Sequence, residues 1–426
     1  MKRSLTTILI IGLMIGLFGV PRLHAETWSE PMFGLSIDTP PGLRIVEQTT
    51  DGALLKIVGE DSAVASLHIE QQSLDWSLPD IRERALAQLG FGASQPLLLD
   101  ESPHRTEIAG HRAHWWKMRV TSETRGEFYL AQAFIMLSPR RYAVIQSEAD
   151  WADAEAAAAL FDTTIAGLSV KDQNELGEEH LRRLRAGDDW LKAILPAMTR
   201  AGQRTQNHWF LIEADGEVIG YERHTQTINE DFGTQGLSVE RMRRVFSNQG
   251  TQDALIRAFA SADGTIEVWE ARTTFRQPGT LQTQTQSSAV TAVRSGDSLI
   301  ITREEPTSTS QTEHAIPELG YLPMAHQLAL GPGWLDALGR PIAFYHYYAP
   351  TASMSFALAE AAATSDGWTV TLYPAPRRAA QALIYDHDGQ LLEHRTPDGR
   401  ILRRVTPEQL RQKVQHLEPN GINRDR

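Results

Sequence analysis

HWFLIEADGEVIGYERHT, residues 208–225, decides how the larger part of this chain folds. Two runs rich in apolar, aromatic and β-branched residues flank Asp215-Gly216. Asp-Gly favours the type I′ turn that closes a hairpin, because both central residues there need positive φ. The same dipeptide recurs at 51–52, 263–264, 366–367, 388–389 and 398–399. Most of these sit between strand-like runs, as in ALIYDHDGQLLEHRTPDGRILRRV, residues 382–405. Residues 206–416 therefore read as a large, mostly antiparallel meander with a few helices. The helical interruptions fall near 322–338 and 407–416. The polar run TLQTQTQSSAVTAV (280–293) resembles a low-complexity tract, but threonine at alternate positions favours a wet strand. Residues 417–426 read as a flexible tail.

The block 26–170 has strand periodicity as well. MFGLSIDTP (32–40) alternates and stops at Pro40-Pro41-Gly42. ALLKIVG (53–59) and VASLHIEQQ (64–72) read as strands. LPDIRERALAQLG (78–90) reads as a helix, with Pro79 at its start and Gly90 just beyond it. Strands follow near 97–108, 111–121, 127–138 and 141–148, then an alanine-rich helix over 152–168. MFGLSIDTPPGLRIVE (32–47) resembles the opening strand and turn of PsbP-like and DcrB-like domains. IAGHRAHWW (108–116) resembles the entry to their central strand. RYAVIQSEAD (141–150), with the helix that ends at TIAGLSV (164–170), resembles their last strand and closing helix. For about residues 30–170 the resemblance implies an antiparallel sheet flanked by helices. It also implies an interaction module, with no family catalytic residue to carry across.

Residues 171–205 form a helical connector, read as a charged helix followed by a more apolar one holding Trp190, Leu191, Ile194 and Leu195. Pro196 is a kink or stop, and the connector is expected to pack on one domain. The whole chain is therefore expected to be α+β. A small helix-flanked antiparallel sheet precedes a larger curved one. The larger sheet resembles, loosely, the incomplete barrels of LolA-like periplasmic lipid carriers, which is an analogy of fold alone.

Residues 1–25 have signal-peptide grammar: Lys2 and Arg3, an apolar run from Leu5 to Val20, then Pro21 and a small residue at Ala25. Cleavage after Ala25 is expected, leaving membrane contact only through the transient signal peptide. There is no cysteine, which removes disulfides, thiolate catalysis and the acylated cysteine of a lipoprotein. Export without disulfides suits a bacterial periplasm or secretion. The formal net charge is −12 with no basic cluster, which speaks against nucleic acid as a partner.

Strings that announce chemistry are missing. The chain has no G-x-S-x-G, H-E-x-x-H or Walker loop. GHRAHWWKM (110–118) places His111 and His114 three apart. On a strand they face opposite ways and cannot share a metal. His114, Trp116, Met118 and Val120 share one side, and Ala113, Trp115, Lys117 and Arg119 a wetter one. AFYHYYAP (343–350) puts Phe344, His346 and Tyr348 on one face. In YDHDGQLLEH (385–394), Asp388-Gly389 is the turn and its polar neighbours are expected to face solvent. Gly220 within GEVIGYERHT (216–225) marks a bulge or close backbone approach, with Tyr221, Glu222 and His224 following. Trp269 and Phe275 share a face, as do Trp368, Val370 and Leu372.

The leading reading is a non-enzymatic, exported bacterial envelope protein with a binding or assembly role and an envelope-protein partner. No cofactor or metal is expected. The alternative is a periplasmic carrier or sensor of an apolar, lipid-like ligand. Trp269, Phe275, Phe344, His346, Tyr348 and Trp368 would line its concave site. An unrecognised hydrolase comes third.

Overall fold

The computed structural model describes residues 26–40, 42–47, 53–59, 63–71, 77–89, 93–102, 106–122, 126–200, 205–277, 285–329, 339–415 and 417. The expected signal segment and its cut, Asp51-Gly52, the tail beyond 417, and the stretches 280–284 and 330–338 lie outside the described residues.

In chain order the first elements are β1 (Glu26–Glu30), β2 (Leu35–Thr39), β3 (Arg44–Glu47), β4 (Leu55–Val58), β5 (Val64–Gln71) and α1 (Leu78–Leu89). There follow β6 (Ala93–Glu101), β7 (Thr106–Ile108), β8 (His111–Ser122), β9 (Gly126–Ser138), β10 (Arg141–Asp150), α2 (Ala154–Gly167) and β11 (Leu168–Val170). They form a three-stranded sheet, β1-β2-β11, and an eight-stranded one, β3-β4-β5-β10-β9-β8-β6, with β7 also on β8. Alternation builds the packing: in β5, Ala65, Leu67 and Ile69 are buried while their neighbours are not. These residues meet Leu160 and Phe161 of α2 and Leu35 and Ile37 of β2. The opposite face packs under α1 through Leu78 and Ile81.

Strand β8 shows the parity expected of it. Trp116 is fully buried on the α1 side and stacks on Phe134 at 5.2 Å. Trp115 turns to the other face, where Lys117 reaches Asp162 of α2 at 2.7 Å. That face is less wet than its two cations suggest, because α2 lies over it and Ala113 is buried. The two histidines do not converge. His114 is held by Ser102 at 3.0 Å, inside the sheet.

Residues 171–205 depart from expectation. One helix, α3 (Gln173–Arg200), takes the place of the two expected there, with Pro196 inside it. Proline forfeits one backbone hydrogen bond, and so near the helix end that loss does not break the rod. The helix is also shared between the two units. His180 lies against the Pro31 carbonyl and the Phe356 ring, while Trp190, Leu191, Ile194 and Leu195 join the core of the large sheet. Its apolar stripe is long enough to serve both.

The remaining strands are β12 (Gln206–Ala214), β13 (Glu217–Asp231), β14 (Thr234–Ser247), β15 (Gly250–Ser261), β16 (Glu267–Arg276), β17 (Thr285–Ser295), β18 (Ser298–Glu305) and β19 (Ser308–Ala315). After α4 (Met324–Leu328) come β20 (Ile342–Tyr348), β21 (Ser353–Thr364), β22 (Gly367–Tyr373), β23 (Gln381–Tyr385), β24 (Leu391–Arg395), β25 (Ile401–Val405) and α5 (Pro407–Val414). All fourteen strands form one sheet, ordered β19-β18-β17-β16-β15-β14-β13-β12-β25-β24-β23-β22-β21-β20. Every pairing in it is antiparallel, as the turn signals imply.

Asp215 and Gly216 both have positive φ, the type I′ turn expected of them. At 263–264, 388–389 and 398–399 only the glycine does. At two of them the aspartate side chain bonds locally instead: Asp263 accepts from Ser261 and the Thr265 amide, and Asp398 from Thr396, while at 388–389 the accepting carboxylate is Asp386.

The sheet rolls until its two edges meet. His314 of β19 lies 5.6 Å from Tyr347 of β20, and Tyr347 lies 5.4 Å from Trp269 of β16. The free edge of β20 is covered: Tyr345 donates to the Gly320 carbonyl at 2.7 Å and Leu322 donates to that of Tyr345 at 2.8 Å. Covering removes a row of unpaired backbone groups that would otherwise invite another strand. This segment leads into α4, whose Met324, Ala325 and Leu328 fill the concavity against Leu237, Val239, Ala258 and Trp269.

Candidate functional site

Beside α4, inside the roll, lies a cavity of about 120 Å³. Strand parity builds it. Phe210 of β12 pairs with Glu222 of β13, and Glu222 pairs with Arg243 of β14. One step along, His208 pairs with His224 and His224 with Arg241. On the far wall Leu372, Gln381, Leu383, His394 and Leu402 point inward from β22 to β25. Gln327 and Leu328 of α4, with Phe344 and His346 of β20, close it.

The polar half is organised around a buried carboxylate. Glu222 is 2% exposed and accepts from Arg241 Nε and Arg243 Nε, each at 2.7 Å. Burial alone would raise its pKa, but the two guanidiniums overcome that and hold it at about 2. His346 lies 2.6 Å from the Pro374 carbonyl through Nε2 and 2.7 Å from Gln327 through Nδ1. A carbonyl only accepts, so Nε2 carries the proton and Nδ1 accepts from the Gln327 amide. His394 Nε2 lies 3.0 Å from Gln381 Oε1 and donates to it. Fully buried His224 turns its ring toward the Leu328 backbone, but neither ring nitrogen makes a hydrogen bond of good geometry.

Burial keeps these imidazoles neutral. His224 falls to about 3, through burial and then the charge of Arg241. His394 falls to about 4 for the same two reasons. His326 of α4 falls to about 4 through burial alone. Each has a folded pKa below its ordinary value of 6.5, so the unfolded chain binds more protons between pH 6.5 and about 4. Stability should therefore be flat above pH 7 and fall as the solution is acidified through that window. Each such histidine should add about 1.4 kcal/mol per pH unit to the slope. Chemical denaturation at several pH values checks this. His224→Leu should flatten the curve; an unchanged slope would contradict burial of a neutral ring.

The arrangement suits binding better than turnover. Glu222 is locked between two cations at a pKa of about 2, which makes it a weak base. No group of three or more potential ligands among the described residues is placed to hold a metal ion. The Ser102–His114 pair is a poor nucleophile–base couple, since both residues are buried in the first unit. What the cavity offers is an apolar side and a side of polar groups, several of them fixed by hydrogen bonds and ion pairs.

Of the residues expected to line a ligand site, Phe344 and His346 do line this cavity. Trp269 packs into the filled core against α4 and Tyr347. Phe275 lies further along β16, opposite Gln252 and Gln286. Trp368 packs beside the cavity against the core that holds Val370. Tyr348 sits under Arg378 in a neighbouring cleft. In its core Trp269 is 2% exposed, and it also borders an open cleft of about 490 Å³ together with Val239, Ala258 and Phe259. His394, expected to face solvent beside its hairpin, turns inward, because its register on β23 sets it opposite Leu383. Gly220 does mark a bulge: the register shifts at Ile212/Glu213, and a side chain at 220 would meet the Arg244 carbonyl at 2.2 Å. Arg241, Gln327 and Gln381 carried no sequence signal. Only the inward parity shared by Glu222 and His224 pointed here.

No helix among the described residues is long and apolar enough to cross a membrane. No protein-family model matches this chain, and no curated protein matches its sequence. Among solved structures, the chain is similar to the solution structure of the cyanobacterial PsbP (CyanoP) from Synechocystis sp. PCC 6803. The identity is 16% and the TM-score 0.29, over 36% of this chain and 96% of that one. It is also similar to a crystal structure from Bacteroides thetaiotaomicron, at 12% identity and a TM-score of 0.24, over 41% of this chain and 61% of that one. Both likenesses cover only part of this chain.

Proposed function

We propose that this protein is an exported, non-enzymatic binding protein of the bacterial envelope, and that its ligand is a small molecule held inside the rolled sheet. The observation that carries this is the cavity, apolar on one side and polar on the other, where buried His224 has only a poorly placed contact with the Leu328 backbone. Leaving a buried polar group without a partner costs about 1–3 kcal/mol, and a ligand that met it would recover that cost. Size limits the ligand. At about 120 Å³ the cavity is smaller than the ~150 Å³ that holds benzene, so it accepts a short apolar group rather than a full acyl chain. This favours a small ligand over a bulk lipid carrier.

Native mass spectrometry of protein purified from its own envelope fraction tests the reading. A stoichiometric adduct of low mass, lost in His224→Leu, is expected. A mature protein starting at Glu26 is expected in the same spectrum. A bare chain that takes up no small molecule under any condition would overturn the binding proposal, and an intact residue 1–25 segment would overturn cleavage.

A further inference from the structure

Next to the cavity lies a more open cleft of about 420 Å³ at the end of the roll. Its floor is apolar, formed by Ile212, Val245 and Leu402. Its walls carry Arg243, Arg378 and Arg400, with Asp398 as the one carboxylate among its lining residues. Arg243 is committed to Glu222, and Arg400 reaches Asp398 at 3.3 Å. Arg378 is exposed and lies over the Tyr348 ring at 5.9 Å. With Arg243 tied to Glu222 and Arg400 to Asp398, Arg378 adds a positive charge beyond those two pairs, in a chain whose net charge is −12. That contrast makes it a local sink for anions.

Cleft and cavity share two wall residues, Gln381 and Leu402. The Glu222–Arg243 pair spans the same partition, with Glu222 on the cavity side and Arg243 on the cleft side. Gln381 stands in it and accepts from His394 at 3.0 Å. A ligand with one charged end and one short apolar end would satisfy both spaces together.

We infer that cleft and cavity are two halves of one site for a small amphipathic anion, its carboxylate or similar head at Arg378 and Arg400, its apolar tail past Gln381 toward Leu383 and Phe210. This rests on the proposed cavity function and adds the charge of the ligand and its direction. Arginine suits the head because its planar fork matches a carboxylate, and such charge-assisted bonds are about twice as strong as neutral ones. The neutral histidines suit the tail end, since none of them brings a competing charge.

Calorimetric titration with three probes tests it: octanoate, 1-octanol and acetate. Octanoate should bind about tenfold or more tighter than octanol, the worth of one charge-assisted contact. Acetate, which has the head without the tail, should bind weakest. The double substitution Arg378→Ala/Arg400→Ala should erase the advantage of octanoate and leave octanol unchanged. Equal binding of octanoate and octanol, or an advantage that survives the double variant, would overturn the anion inference while leaving the cavity reading intact. Acetate binding as tightly as octanoate would overturn the two-part site. No binding of octanol or octanoate to the unaltered protein would overturn both.

Discussion

Replacing Arg241 and Arg243 together by methionine should destabilise the protein by about 3–5 kcal/mol at pH 7, the usual cost of stranding one member of a buried ion pair. Glu222 is the stranded group, 2% exposed and bonded to both arginines. The sign of the pH dependence should also reverse. In the unaltered protein Glu222 has a folded pKa of about 2 against an ordinary 4.5. Its stabilisation is therefore complete above pH 4.5 and is lost as pH falls toward 2. Without its cations, burial alone acts and raises the folded pKa above 4.5. The variant should then gain stability from Glu222 as pH falls below that raised value. Adding Glu222→Leu should restore most of the loss at pH 7, because an apolar trio can replace a buried charged one. Urea titrations of the double and triple variants at pH 5 and pH 8 separate these outcomes. A double variant within 1 kcal/mol of the parent would show that Glu222 is hydrated and that the cavity is not enclosed.

Gly187→Ala and Gly177→Ala, the same substitution in the same helix, should have opposite signs. Alanine is favoured over glycine inside a helix by up to about 1 kcal/mol, and Gly177 has nothing within 4 Å of an added methyl. That variant should be stabilised. At Gly187 the added carbon would lie 1.8 Å from the Ala343 carbonyl oxygen. No rotamer relieves a clash with backbone, so α3 must lift from β20. A loss of about 3 kcal/mol is expected, at the upper end of overpacking costs. Since α3 carries Trp190 against Phe344, which lines the cavity, ligand binding should weaken as well. Thermal unfolding of both variants checks the pair. Equal shifts would mean that α3 does not approach β20 as closely as described.

Much of the fold is legible locally because strand parity and turn chemistry are local. Trp115 and Trp116 fall on opposite faces for no reason beyond the period of two. Asp215-Gly216 folds its hairpin with neighbours alone. Sheet order is a different matter. Strand β12 pairs with β25, setting Trp209 against Val405, and nothing near either residue announces the other. Strand β1 is missed because ETWSE is short and polar, and gains its place by pairing with β2. The site is least legible. ERMRR (240–244) looks like solvated charge, and only its register against Glu222 turns Arg241 into a wall of the cavity and Arg243 into a wall of the cleft. Gln381 and His394 become partners through pairing of β23 with β24, and with β20 and α4 they close a volume that no short window contains.

The claim on which the rest depends is that the rolled sheet holds a ligand site rather than a tight core. A crystal structure of protein grown with octanoate tests it most directly. Elongated density is expected, entering from Arg378 and Arg400, passing Gln381, and ending within contact of Leu383, Phe344 and His224. Density confined to the surface, with the inner walls collapsed onto one another so that no space remains between His224 and His394, would contradict it.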